Sequence, residues 1–127
     1  MKNKYFDKVT KLLERTSPKL ATQYRLEFKN VFGAVGAYVN GKIFITCGKF
    51  GVALKLPPEV LNNLFKNKGA RRLKYFLQGH TKKEYAIIPL KIICDKGIFK
   101  KLLNKSIKYA LDKNWKQFWN ELMFKNM

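Results

Sequence analysis

The side chains that most often perform catalysis or bind metals are few in this sequence and lie far apart. The chain holds two cysteines, Cys47 and Cys94, and one histidine, His80. Neither cysteine has a histidine nearby in the sequence, and these three residues do not make up the ligand set of a usual zinc site. The eight acidic residues are scattered, with no pair placed for general acid–base chemistry. We therefore expect a protein that is not an enzyme and that uses no metal and no cofactor.

The surroundings of these residues agree with that expectation. Both cysteines stand in apolar runs, which favours buried thiols over a disulfide. His80 lies between Gly79 and Thr81 and close to two lysines, a pattern typical of a solvated loop. The glycines that begin at Gly33 lack the spacing of a dinucleotide-binding fingerprint and are not followed by the Gly-Lys-Ser/Thr of a phosphate-binding loop.

Positive charge is the outstanding chemical property of the chain. Its 127 residues include 27 Lys and Arg against 8 Asp and Glu, which gives a net charge of +19. Such an excess repels itself in a folded protein, so an anionic partner is expected: nucleic acid, an anionic membrane surface or an acidic protein. The alternative is a compositional bias of the proteome toward lysine, in which case the charge has no specific partner.

The densest cluster of cations runs from Lys66 to Lys74, between a predicted helix and a predicted strand. Side chains at such a junction can contact one phosphate backbone. The sequence contains no recognisable recognition helix, zinc finger or RNP aromatic pair, so binding would carry little sequence specificity. The candidate nucleic-acid-binding residues are Lys66, Lys68, Arg71, Arg72, Lys74, Lys82, Lys83, Lys101, Lys105 and Lys108.

The elements that must position these residues begin with an amphipathic helix over residues 3–16. Its apolar stripe consists of Tyr5, Phe6, Val9, Leu12 and Leu13, and its solvent side carries Lys4, Lys8, Lys11 and Arg15. Pro18 follows the helix and favours its end just before that residue. Residues 24–29 alternate apolar and polar, which predicts a half-buried strand that leads into a segment containing glycines.

A β-hairpin is predicted around Asn40-Gly41, because both residues accept positive φ and β-rich runs flank them. Gly33 and Gly36 interrupt the upstream run. As glycines inside a strand, they indicate a bulge or a close approach of another part of the chain. Downstream, residues 42–47 and 52–56 are predicted as two further strands joined by a turn at residues 48–51.

The second half of the chain predicts a helix from Pro58 to Gly69, a hairpin of residues 71–77 and 84–90, and a helix from Lys96. The apolar face of that last helix is Ile98, Phe99, Leu102, Leu103, Ser106, Ile107 and Ala110. The predicted order is α-β-β-β-α-β-β-α. It corresponds to a two-layer α+β fold, with an antiparallel sheet of about five strands covered by helices, in a single domain of residues 1–127.

The C-terminal segment, residues 113–127, is predicted to be a short helical extension. Its large apolar residues follow helical spacing: Trp115, Phe118, Trp119, Leu122 and Met123. On an unbroken helix this stripe would lie opposite the apolar face of the preceding helix. Either a second helix begins at Asn114 and folds back on the core, or one long helix presents the stripe to another molecule. The second interpretation makes the stripe a candidate interface for a homodimer or a protein partner.

The sequence also bears on location. The N-terminus carries charges without the apolar stretch of a signal peptide, and no run approaches the ~20 apolar residues that a membrane span requires. We expect a cytoplasmic protein with no membrane span.

One segment combines a set of residues at fixed spacing: Phe32, Gly33, Gly36, Tyr38, Asn40, Gly41 and Phe44. The pattern resembles the run Met-Phe-Gly-Gly-x-Gly-x-Tyr-x-Asp/Asn-Gly-x-x-Phe of the TfoX (Sxy) N-terminal domain family, with Val31 and Ala34 in place of Met and the second Gly. The similarity extends over roughly residues 3–112. The resemblance implies a two-layer fold and a role in transcription regulation, with other proteins or DNA as partners. It implies no catalytic residues.

Overall fold

The structure is a computed structural model that describes residues 3–74 and 82–112. Its helices are α1 (Lys4–Thr16), α2 (Leu20–Gln23), α3 (Pro58–Asn67), α4 (Leu90–Ile93) and α5 (Lys96–Leu111). Its strands are β1 (Leu26–Val31), β2 (Ala34–Val39), β3 (Lys42–Gly48), β4 (Gly51–Lys55), β5 (Arg71–Leu73) and β6 (Lys82–Ile87).

The strands form one antiparallel sheet in the order β1-β2-β3-β4-β6-β5. The α+β prediction is therefore confirmed, but the part of the chain that the structure describes has six strands where about five were expected. The difference arises at Phe32 and Gly33, which take φ values of 49° and 82° and turn the chain between Val31 and Ala34. The prediction of Gly33 inside a strand was wrong: it lies in a tight turn that splits the predicted strand into β1 and β2.

The hairpin at Asn40-Gly41 is confirmed. The two residues have φ of 50° and 80°, and they join β2 to β3. Asn40 also reaches the chain next to β1, because its Oδ1 accepts a 3.0 Å hydrogen bond from the backbone N–H of Arg25 and its own N–H donates to the Arg25 carbonyl. The turn thus helps to align three strands.

Helix α1 begins at its N-cap Asn3, whose Oδ1 accepts a hydrogen bond from the backbone N–H of Tyr5. Its buried residues Val9, Leu12 and Leu13 pack on β2 and β3. Phe6 belongs to the predicted stripe but stays exposed, with its ring edge-on to Phe28 at a centroid distance of 5.1 Å. The amphipathic prediction therefore holds for the inner part of the stripe.

Helix α5 lies beside α1 and packs on β2, β3 and β4, so both helices enclose one core with the same sheet face. Its N-cap Asp95 accepts a hydrogen bond from the backbone N–H of Ile98. Two details of the predicted apolar face need correction. Ile98 is 49% exposed because it stands in the first turn, and Tyr109, which was not predicted to be buried, is buried.

The second half of the chain is otherwise close to its prediction. Helix α3 is followed by Gly69 at φ 75°, and β5 pairs with β6 as a hairpin. The strand predicted to reach residue 90 ends at Ile87, because Pro89 caps the short helix α4. The two short helices α2 and α4 were not predicted.

The cysteine prediction is half right. Cys47 is buried in β3, while Cys94 is exposed at the end of α4, so the expectation of two buried thiols was wrong. Both thiols are free. His80 and the whole 113–127 segment, including the candidate interface Trp115, Phe118, Trp119, Leu122 and Met123, lie outside the described residues.

Among the helices that the structure describes, none combines the length and the apolar composition needed to cross a bilayer. Within the same residues, no three His, Cys, Asp or Glu side chains are grouped so that they could hold a metal ion.

Candidate anion-binding site

A cavity of about 500 Å³ opens between α1, the start of β4, the start of β5 and the connection from β6 to α4. Within the described residues, four cationic side chains line it: Lys8, Lys11, Arg15 and Arg71. No Asp or Glu appears among its described lining residues. We call this feature the cation cavity.

Helix α1 supplies three of these cations. Lys8, Lys11 and Arg15 are spaced i, i+3 and i+7, so they share one face of the helix. Leu12, which is buried, lies on the same side and fixes how α1 sits against the sheet. Nη2 of Arg15 donates a long hydrogen bond of 3.5 Å to the carbonyl oxygen of Ile93, and this bond connects the end of α1 to α4.

Arg71 comes from the opposite wall. It is the first residue of the edge strand β5, where it pairs with Ile87 of β6. Successive side chains of a strand point to opposite faces. Accordingly Arg71 lines the cavity, while the guanidinium carbon of Arg72 lies 4.5 Å from the centroid of the Phe65 ring. The predicted cluster of residues 66–74 is therefore divided between two surfaces.

The base of the cation cavity is apolar. The side chains come from α1, β4 and the segment from the end of β6 to α4, and they are Leu12, Val52, Ile87, Ile88, Pro89 and Ile93. At its mouth Leu90 is 71% exposed, which is unusual for a leucine. The cavity thus combines an apolar interior with a cationic rim.

The remaining candidate cations lie elsewhere on the surface. Lys66 and Lys68 stand at the end of α3, Lys74 follows β5, and Lys82 and Lys83 begin β6, with Nζ of Lys82 6.0 Å from the ring centroid of Phe32. Lys101, Lys105 and Lys108 lie on the outer side of α5. All ten candidates are exposed, but only Arg71 belongs to the cavity.

From the sequence, Lys8, Lys11 and Arg15 are predicted to lie on a basic face of the first helix, but no site is predicted for them. Their helical spacing was visible, and so was the apolar run that contains Ile87 and Ile88. What no local pattern shows is that α1 and the start of β5 line one cavity. That Arg71 and the α1 cations line the same cavity depends on the tertiary fold alone.

Cys47 is buried in β3, and the positive charge of Lys8 acts on its thiol. Burial raises the pKa of the Cys47 thiol, and the charge of Lys8 only partly opposes that increase. The thiol therefore stays protonated near neutral pH and is a poor nucleophile. This finding assigns Cys47 to the core.

One polar cluster was not predicted from the sequence. The hydroxyl of Tyr109 in α5 donates a 2.7 Å hydrogen bond to Oε2 of Glu84 in β6, and Nζ of Lys55 lies 3.7 Å from the same oxygen. Burial, then the hydrogen bond and charge of Glu84, raise the pKa of Tyr109 far above its ordinary value. The phenol remains a neutral donor, so the cluster fastens α5 to the sheet.

The residues of the family-type motif build two consecutive turns. Phe32 and Gly33 form the β1–β2 turn, with Phe32 64% exposed, and Asn40 and Gly41 form the β2–β3 turn. The other three lie in the strands: Gly36 and Phe44 are buried, and the ring of the half-buried Tyr38 lies under Nζ of Lys29 at 5.0 Å. None of the seven lines the cation cavity.

Comparison of the chain with protein-family models, curated proteins and solved structures finds no match. The resemblance to the TfoX N-terminal domain therefore rests on the motif residues themselves.

Proposed function

We propose that this protein is a non-catalytic regulatory protein that associates with nucleic acid by contacting the phosphate backbone through its basic surface. The observation that carries the proposal is the exposure of all ten candidate cations in a chain of net charge +19. Exposed lysines and arginines are the groups that phosphate contacts require. The resemblance to TfoX-like regulators of transcription points in the same direction.

The arrangement of charges supports this function. Arg25–Glu27 and Lys55–Glu84 are ion pairs within the described residues, and neither contains a lysine of α5. On α5, the three lysines at positions 101, 105 and 108 follow the helix on its outer side, away from the buried core face. A row of this kind can follow a phosphate backbone without any contact to bases.

The proposal is tested by fluorescence anisotropy with labelled duplex and single-stranded DNA of unrelated sequences, between 50 and 200 mM NaCl. If about six phosphates are contacted, the affinity falls about a thousandfold over this range. Sequences of equal length should bind with similar affinity, because the contacts avoid the bases. Failure to bind either DNA at 50 mM NaCl would overturn the proposal.

Two triple variants locate the surface. Lys101→Gln, Lys105→Gln and Lys108→Gln together should lower the slope of log affinity against log salt by about 2 to 3, since each lost phosphate contact lowers it by about 0.9. The matched control replaces Lys19, Lys42 and Lys49, three exposed lysines outside the candidate set, and removes the same charge. Equal slopes for the two variants would contradict the assignment to α5.

A further inference from the structure

We propose that the cation cavity binds a small amphipathic anion, a molecule with one carboxylate or phosphate head and an apolar body. This inference goes beyond the proposed function, because the occupant is a small molecule and the site is a cavity on the side of α1. It depends on three properties of the cavity: its size, its apolar interior and its cationic rim.

The size suits a small ligand. Pockets for small molecules typically have volumes of about 300–1,000 Å³ and are mostly apolar, with a few polar groups that orient the ligand. The cation cavity, at about 500 Å³, lies within that range. A phosphate backbone needs an open row of cations and gains nothing from a concave apolar base.

The interior provides for an apolar body. Val52, Ile87, Ile88 and Leu12 are buried side chains that contribute apolar surface to the lining of the cavity. Leu90 at the mouth leaves most of its side chain in water. A ligand body that covers Leu90 would remove apolar surface from water on both molecules, which favours binding.

The rim provides for an anionic head. Three cations from α1 and Arg71 from β5 line the same cavity, and the described lining residues include no acid that could neutralise them. Four like charges around one cavity repel each other unless an anion lies between them. Arg15 donates one N–H to a long, solvent-exposed hydrogen bond of 3.5 Å with the Ile93 carbonyl, which leaves its other N–H groups for a ligand oxygen.

The chemistry therefore selects against three other classes of ligand. A neutral amphiphile leaves the cations unpaired, and a free inorganic anion leaves the apolar base in water. A cationic amphiphile is repelled outright. Carboxylate and phosphate heads are both accepted, because lysine and arginine bind either.

Isothermal titration calorimetry on the full chain tests the proposal with four probes: decanoate, decyl phosphate, decanol and inorganic phosphate. We expect saturable binding of decanoate or decyl phosphate with one site per chain. Decanol, which has the body without the charge, and inorganic phosphate, which has the head without the body, should each bind at least tenfold more weakly. Decanol binding as tightly as decanoate would overturn the proposal.

Neighbouring arginines provide a matched pair of variants. Arg71→Gln removes a cation from the rim, and we expect about a tenfold loss of affinity for the anionic probes, as for a lost charge-assisted hydrogen bond. Arg72→Gln removes the same charge one residue away, where the side chain lies over Phe65, and should change the affinity less than twofold. Equal losses would show a general effect of charge and overturn the assignment to the cavity.

Three further measurements complete the test. Thermal unfolding of both variants shows whether they remain folded, and Leu90→Ser, which shortens the apolar mouth, gives a second loss of affinity that does not depend on Arg71. Vesicles with anionic lipids distinguish a free amphiphile from a membrane surface. The proposal would be overturned if the protein sediments with the vesicles but shows no saturable binding of decanoate or decyl phosphate. In that case the exposed lysines alone explain the binding to the vesicles. None of these experiments contains nucleic acid, so their outcome is separate from that of the DNA titration.

Discussion

Two regions of the molecule differ in how the chain builds them. The hairpin region, β1 to β3 (residues 26–48), is made from consecutive residues: tight turns at Phe32-Gly33 and Asn40-Gly41, and small residues packed within the strands. The cation cavity is made from α1 and from segments that begin near residue 50 and end near residue 93. The hairpin region is defined by its backbone geometry, and the cation cavity is defined by charged side chains from elements that are distant in the sequence. Substitutions in the hairpin region should therefore change stability, and those in the cavity should change binding.

The largest effect on stability is expected at Gly48, at the end of β3. A Cβ added there would lie 2.8 Å from Cβ of Ala34 and 2.9 Å from Cε2 of Phe50. Since Cβ of Ala34 is fixed to the β2 backbone, it cannot move without disturbing the strand. Gly48→Ala should lower the free energy of unfolding by about 3 kcal/mol, as overpacked cores do. Urea denaturation followed by circular dichroism measures the change.

Gly36 in β2 is the matched control. A Cβ there would lie 2.8 Å from Cδ1 of Ile43, which is the end of a flexible side chain and can rotate away. Gly36→Ala should therefore cost only about 1 kcal/mol, while the bulkier Gly36→Val should cost about 2 kcal/mol or more. A larger loss for Gly36→Ala than for Gly48→Ala would contradict this account of the packing.

The contrast also explains what the sequence could predict. Asn40-Gly41 was identified correctly because both residues are strong turn formers, and the core of α5 followed from its helical spacing. The turn at Phe32 was missed because a phenylalanine rarely takes positive φ, so its type carries no turn signal. The cation cavity was missed because α1 and β5 are far apart in the sequence, and only the fold makes both of them line one cavity.

A smaller effect is expected at the β1–β2 turn. Gly33 has a φ of 82° and no other atom within 4 Å of its added Cβ, so Gly33→Ala is strained by backbone conformation alone. We expect a loss of about 1 kcal/mol in the free energy of unfolding. The control is Gly97→Ala in the first turn of α5, where φ is not positive and the nearest atom is 3.6 Å away. That substitution should stabilise the protein by about 0.5 kcal/mol. A Gly33→Ala variant as stable as wild type would mean that the turn tolerates another conformation.

Two buried hydroxyls, one without and one with a hydrogen bond, test how polar groups in and against the hairpin region affect stability. Oγ1 of Thr46 in β3 is buried and makes no hydrogen bond within the described residues, whereas Oγ of Ser106 in α5 donates a 2.6 Å hydrogen bond to the Phe44 carbonyl. Thr46→Val keeps the shape and removes the unpaired group, so it should raise the free energy of unfolding by about 1 kcal/mol. Ser106→Ala should lower it by about 1 kcal/mol. If both substitutions change the free energy of unfolding in the same direction, the presence or absence of a hydrogen bond does not determine what these hydroxyls contribute to stability.

The smallest effect on stability is expected in the cation cavity. Lys8→Gln with Lys11→Gln removes two of four like charges from one rim, which relieves repulsion. The free energy of unfolding should rise slightly, by no more than about 0.5 kcal/mol at 20 mM NaCl. The gain should disappear at 500 mM NaCl, where charges are screened over a few ångströms. Urea denaturation at the two salt concentrations measures both values.

The control for this pair is Lys19→Gln with Lys49→Gln, two exposed lysines that do not line the cavity. If only the substitutions at Lys8 and Lys11 stabilise the protein, the cations of the cavity lower the free energy of unfolding by repelling each other. That result is expected for residues whose arrangement serves an anionic ligand. If the cavity pair instead destabilises the protein by more than about 1 kcal/mol, these lysines are structural. That result at Lys8 and Lys11 would contradict the proposed division, in which the hairpin region determines stability and the cation cavity determines binding.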